Sequence, residues 1–118
     1  MIKLKHILNR VVISEIDMTE GDYTIGRNPG NSLQLDDSVI SGEHAQIKFE
    51  PNDCIPEMFD ITITDLGSTN GTYVNNEPIK EQKLKHGDSI RIGTHEFKVF
   101  DDQSHTGTQT EYYIAEDE

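Results

Sequence analysis

Apolar and polar residues alternate along the first hundred residues, and turn-forming residues interrupt the alternation about every ten positions. A period of two sends successive side chains to opposite faces of an extended backbone, so the pattern predicts half-buried strands. The expected strands are Ile2–Leu8, Val11–Ile16, Tyr23–Gly26, Leu33–Leu35, Ala45–Phe49, Phe59–Leu66, Thr72–Val74, Ser89–Ile92 and His95–Phe100. Turns are expected at Asn9-Arg10, Gly21-Asp22, Gly87-Asp88 and Gly93-Thr94. Asn70-Gly71 carries the strongest hairpin signal, because both residues adopt positive φ at low cost. No stretch holds the 3.6-residue period of a helix, and no segment repeats. Many short strands with regular turns describe an all-β sandwich or barrel.

Length changes this picture little: 118 residues suit one domain with a modest core. Charge changes it more. The net charge of −12 argues against binding a nucleic-acid backbone. All ten Lys and Arg lie in residues 1–100, while residues 101–118 hold six acids and no base. The chain therefore divides into a domain over 1–100 and an acidic, polar tail over 101–118, expected to be flexible. No apolar run is long enough to insert in a membrane, and the alternating, charged start is unlike a secretory signal. Cys54 is the lone cysteine, so no internal disulfide forms. A reducing, cytoplasmic setting is the expectation.

Two stretches are longer and more polar than a hairpin needs: Gly26–His44 and the segment "DLGSTNGT" that opens at Asp65. Ser41, His44 and Asp65 supply the residue types of a hydrolase triad, but Ser-x-x-His lacks the glycines of a nucleophile elbow. His6, His44, His86, His95 and His105 are dispersed, without the spacing of a zinc site. "GRNPGN" lacks the Lys-Ser/Thr ending of a phosphate-binding P-loop. No catalytic residue, metal or cofactor is expected.

Binding fits these residues better. A phosphate held by loops needs a fork-shaped cation, hydroxyl donors and unshielded backbone N–H groups. Arg27, Ser41, Thr69 and the glycine turns supply them. Each has an ordinary reading alone: a solvated arginine, a turn serine and, for His44, a hydrogen-bonded core imidazole. Together they point to a phosphate site.

The series Gly26-Arg27, Ser41-Gly42-Glu43-His44 and Asp65-Leu66-Gly67-Ser68-Thr69-Asn70-Gly71-Thr72-Tyr73-Val74-Asn75 resembles the signature of the forkhead-associated (FHA) domain. Gly87-Asp88, Ile90 and Ile92-Gly93 resemble that family's closing strands, so the likeness spans residues 2–100. It implies a β-sandwich of two twisted, mainly antiparallel sheets, with phosphothreonine-peptide recognition by loops at one end. It implies that Arg27, Ser41 and Thr69 contact the phosphate and that Asn70 hydrogen-bonds the peptide backbone. Gly26, Gly42, Ser68 and Gly71 would support the site, and His44 would brace the loops from beneath. Asp65 would have a structural loop role. Many relatives place Arg or Asn where this chain has Gly42, and Glu43 further lowers the local positive charge.

The resemblance implies an adaptor or regulator in Ser/Thr kinase signalling, with a phosphothreonine protein as partner. A phosphorylation-independent scaffold using a sheet face is the alternative. Tail residues Thr106, Thr108 and Thr110, once phosphorylated, are candidate ligands for self-association. A solvated tail without that role is the competing reading.

Overall fold

The computed structural model of the protein describes residues 2–55 and 57–101, and among these every regular element is a strand. In chain order they are β1 (Ile2–Leu8), β2 (Val11–Asp17), β3 (Gly21–Gly26), β4 (Leu33–Gln34), β5 (Ala45–Pro51) and β6 (Phe59–Asp65). There follow β7 (Thr72–Val74), β8 (Glu77–Ile79), β9 (Glu81–Leu84), β10 (Ser89–Ile92) and β11 (His95–Asp101). Segment 102–118, with its three candidate threonines, lies outside the described residues.

The strands form two sheets, ordered β2-β1-β11-β10-β7-β8 and β4-β3-β5-β6-β9. All pairings are antiparallel except β3 with β4. Period-two patterning explains the core. Leu4, Ile90, Phe97 and Val99 project from one sheet, and Ile25, Ala45, Ile47 and Ile63 from the other, all essentially without solvent contact. The expected sandwich is what forms. Among the described residues no helix is long and apolar enough to cross a membrane.

Besides the turn expected at Gly21-Asp22, both of whose residues lie within β3, two expectations need correction. Strands β8 and β9 were not foreseen, because "EPIKEQKL" carries a proline and four charges in eight residues and no clean alternation. Their partners make them strands: Thr72↔Ile79 fixes β8 and Ile63↔Gln82 fixes β9. The second correction concerns Asn70-Gly71, which closes no hairpin. β6 and β7 belong to different sheets, and the segment between them crosses the sandwich. Of that pair only Gly71 has positive φ, at 90°. The two-residue hairpins with paired positive φ are instead at Asn9-Arg10 (52° and 67°) and Asn75-Asn76 (52° and 72°).

Register defines the poles. Ile2 pairs with Asp101 at one end, and Leu8 pairs with His95 at the other. At that second end lie the turn Gly93-Thr94, the hairpin Asn9-Arg10 and the loops that follow β3, β4 and β6. Thr94 ties the turn between β10 and β11 to the loop after β4 by donating its hydroxyl to Asp37 Oδ2 at 2.9 Å. The side chains of Val39 and Ile40 press on Gly93, whose own missing Cβ would lie 2.9 Å from Ile40 Cγ1.

Candidate functional site

The site is assembled from loops that leave the ends of β3, β4 and β6. Main-chain bonds first join the β3–β4 and β4–β5 loops. Arg27 N donates to Ser41 O at 3.0 Å and Asn28 N to Gly42 O at 3.2 Å. His44 N donates to Ile25 O at 2.8 Å. This close approach explains Gly26: a Cβ there would fall 2.2 Å from the Gly42 carbonyl oxygen, inside any permissible contact. Leu35 and Ile40 plug the β4–β5 loop into the core, both nearly fully buried.

His44 joins the third loop. Its ring is inaccessible to solvent. Ser41 N lies 3.1 Å from Nδ1, and Gly71 O lies 2.9 Å from Nε2. A backbone N–H can only donate and a carbonyl can only accept, so the ring proton resides on Nε2. One imidazole thus links two loops 27 residues apart in sequence.

Asp65 organises the loop between β6 and β7 from within. Its carboxylate accepts from Gly67 N and Ser68 N, both at 3.1 Å. It also accepts from Ser68 Oγ at 2.6 Å and Thr72 Oγ1 at 2.7 Å. Burial would raise its pKa, but the Ser68 and Thr72 hydrogen bonds outweigh this and hold it below the usual carboxylate value. Ser68 Oγ in turn accepts from Gly71 N at 2.9 Å.

On this base the recognition candidates meet. Thr69 N donates to Ser41 Oγ at 3.0 Å, which occupies a lone pair of the hydroxyl oxygen and leaves its proton for an external acceptor. Asn70 Nδ2 donates to Val39 O at 2.7 Å, and among the described residues its Oδ1 has no hydrogen-bond donor. Arg27 is exposed, and among the described residues its guanidinium has no ion pair or hydrogen bond. Arg27, Ser41, Thr69 and Asn70 therefore sit at one pole, as do Gly26, Gly42, His44, Ser68 and Gly71. Chemically these residues make a donor-rich surface in which Arg27 supplies a planar cation. The described residues contain no cluster of three metal-ligating side chains.

Several residues of the site were not anticipated. Asn31 Nδ2 clamps the β3–β4 loop, donating to Gly42 O at 2.7 Å and Asn28 O at 2.9 Å. Asp37 caps the β4–β5 loop by accepting from Val39 N at 3.1 Å as well as from Thr94. The backbone N–H of Val39, then the Thr94 hydroxyl, lower its pKa. The Asn-Pro-Gly-Asn sequence of residues 28–31 is a legible turn signal, but which side chain would reach Gly42 is not written in it.

Comparison with known proteins agrees with the fold. The FHA domain family matches residues 23–93. The glycogen accumulation regulator GarA of Mycobacterium tuberculosis is 40% identical over 68 residues, 58% of this chain and 38% of that protein. The chain thus spans well under half the length of the curated relatives it matches. Among solved structures, the FHA domain of FhaA complexed with the intracellular domain of Rv3910 has a TM-score of 0.70 and 32% identity, covering 84% of this chain and 99% of that one. FhaA is itself a protein of Mycobacterium tuberculosis, 37% identical over 82 residues, 70% of this chain and 14% of FhaA. A structure described as an analysis of phosphothreonine-dependent FHA domain interactions has a TM-score of 0.70 and 31% identity, over 84% of this chain and 96% of that one. By its residues, its sandwich and these likenesses, the chain belongs to the FHA-domain family.

Proposed function

We propose that this domain is a non-catalytic reader of phosphothreonine peptides that serves as an adaptor or regulator in Ser/Thr kinase signalling. One observation carries the reading: an exposed Arg27 without a side-chain partner among the described residues is joined through its main chain to Ser41, whose hydroxyl proton is free, at the pole that also holds Thr69 and Asn70. A phosphate offers three strong acceptor oxygens, and an arginine fork with hydroxyl donors satisfies them. Nothing in this set suits bond breaking. No general base faces the Ser41 hydroxyl, because both His44 nitrogens are committed to backbone groups. The kinship with GarA and FhaA supports a regulatory, protein-binding role.

Capture from a degenerate phosphothreonine peptide pool, followed by titration of the best binder, tests the reading. Arg27→Ala is expected to weaken binding by about 1.5–3 kcal/mol, the worth of a charge-assisted hydrogen bond, without unfolding the domain. Matched phosphoserine peptides should bind about 10–200-fold more weakly, since the threonine methyl is worth roughly 1–3 kcal/mol in a fitted pocket. Equal affinity for both peptides, or a folded Arg27→Ala protein that binds normally, would refute it.

A second reading, a phosphorylation-independent scaffold, is favoured by the half-exposed Val11, Val12 and Ile13 on the edge strand β2. It predicts a partner that Arg27→Ala retains.

A further inference from the structure

We propose that Asn28 is a further phosphate contact, delivering from the β3–β4 loop a donor into the space over Gly42; the inference rests on the phosphopeptide reading above. Its main chain is fixed on both sides. Asn28 N donates to Gly42 O, and Asn28 O accepts from Asn31 N at 3.2 Å and from Asn31 Nδ2 at 2.9 Å. Pro29 follows and restricts the turn further. The carboxamide is different. It is exposed, and among the described residues no hydrogen bond engages it.

Where the carboxamide lies is specific. A Cβ built on Gly42 would fall 2.7 Å from Asn28 Nδ2 and 3.1 Å from both Cγ and Oδ1. The carboxamide therefore occupies the space that a Gly42 side chain would enter. A side chain at position 42 would displace the Asn28 carboxamide from this position. Gly42 is small so that Asn28 can occupy this position, beside Ser41 and one residue from Arg27.

The chemistry supports a ligand contact rather than a spacer. Among the loops joined here Arg27 is the cation, and the exposed Glu43 next to Gly42 opposes an anion. A neutral amide adds a donor to a phosphate oxygen without needing a charge of its own, and its backbone anchoring reduces the entropy lost on binding. A spacer would be served equally by the isosteric carboxylate of aspartate. A donor would not.

The probe is the best peptide captured from the phosphothreonine pool, with its unphosphorylated twin, titrated against the whole chain. Asn28→Ala should weaken phosphopeptide binding about ten-fold or more, the range of a hydrogen bond to a charged group. Asn28→Asp should weaken it further than Asn28→Ala, because a carboxylate then faces the phosphate. In the wild-type protein the side-chain NH2 resonances of Asn28 should shift with the phosphorylated peptide and stay in place with its twin. Gly42→Ala should weaken binding in the wild-type background and much less in the Asn28→Ala background. If Asn28→Ala or Asn28→Asp binds within about two-fold of wild type while Arg27→Ala binds about ten-fold more weakly or worse, the inference falls and the phosphopeptide reading stands. If the wild-type protein captures no phosphothreonine peptide in preference to its twin, that reading falls and the inference with it.

Discussion

His44 has no path to solvent, and each ring nitrogen holds a backbone group of a different loop. Removing the ring leaves a buried amide and a buried carbonyl unpaired as well as a cavity. His44→Ala should therefore cost about 2–4 kcal/mol of stability, read as a lower urea midpoint. It should weaken peptide binding too, because Ser41 and Gly71 are no longer held in common. Arg27→Ala should move binding alone, and this contrast separates a brace from a contact. Gly26 presents a purely steric case. Its absent Cβ would collide with a backbone oxygen that cannot rotate away. Gly26→Ala should destabilise by roughly 1–3 kcal/mol or more, through a displaced β4–β5 loop. Thermal denaturation beside a benign control, Gly30→Ala, checks this, since a Cβ on Gly30 meets nothing.

At the level of elements, turn chemistry is the informative quantity. The β1–β2 hairpin turns through Asn9-Arg10, and Arg10 sits at φ 67° without the local side-chain bonding that eases asparagine into this region. Arg10→Gly should relieve that strain, offset in part by the greater freedom of glycine in the unfolded chain, for a net gain of about 0.5–1 kcal/mol. A lower melting temperature for Arg10→Gly would contradict this. Asn75-Asn76 makes the corresponding turn between β7 and β8, and Asn75 does more than turn. Its Nδ2 donates to the buried Asp88 at 3.0 Å and its Oδ1 accepts from Ser89 N at 3.0 Å, which pins that hairpin to β10. By contrast, the Asn-Gly pair at 70–71 has been released from hairpin duty. Its carboxamide holds Val39 and its carbonyl holds His44, so a turn motif serves as a joint between loops.

For the molecule as a whole, acid should act in two stages. His6 Nε2 lies 2.8 Å from His95 Nδ1, with the His6 ring stacked on Phe97 at 4.5 Å between centroids. Burial, then the like charge of His95, hold the His6 pKa below its ordinary 6.5. The unfolded chain therefore takes up this proton first, and stability falls as pH drops from about 6.5 through the lower folded value. Asp65 and Asp88 act at lower pH. Burial would raise both, yet hydrogen bonds outweigh it, from Ser68 and Thr72 in the first case and from Asn75 and Lys85 in the second. Their contribution is complete above about 3.8 and is lost as pH falls below it. Urea midpoints across the acid range should fall in these two steps. His6→Phe, which preserves stacking on Phe97, should flatten the upper step and leave the lower one. A midpoint unchanged between pH 7 and 5 in the wild-type protein would show that the histidine pair does not couple to folding.

Alternation along the chain was enough to predict an all-β sandwich or barrel and most of its strands, because a half-buried strand must write its burial into every second residue. The family resemblance then selected the sandwich. The sequence also offered Arg27, Ser41 and Thr69 as phosphate candidates through the chemistry of their residue types, and Asn70 through the family resemblance. It did not determine β8 and β9. Three- and four-residue strands with charged surfaces owe their form to neighbouring strands, and no local pattern records a neighbour. Nor did it determine the use of Asn70-Gly71, since the same dipeptide suits a hairpin or a crossover and only sheet membership selects between them. The clamp of Asn31 on Gly42, the cap of Asp37 on Thr94 and the seat of Asn28 over Gly42 are likewise tertiary facts. Each joins side chains and backbone 11 to 57 residues apart, and packing of the two sheets alone sets which loops converge.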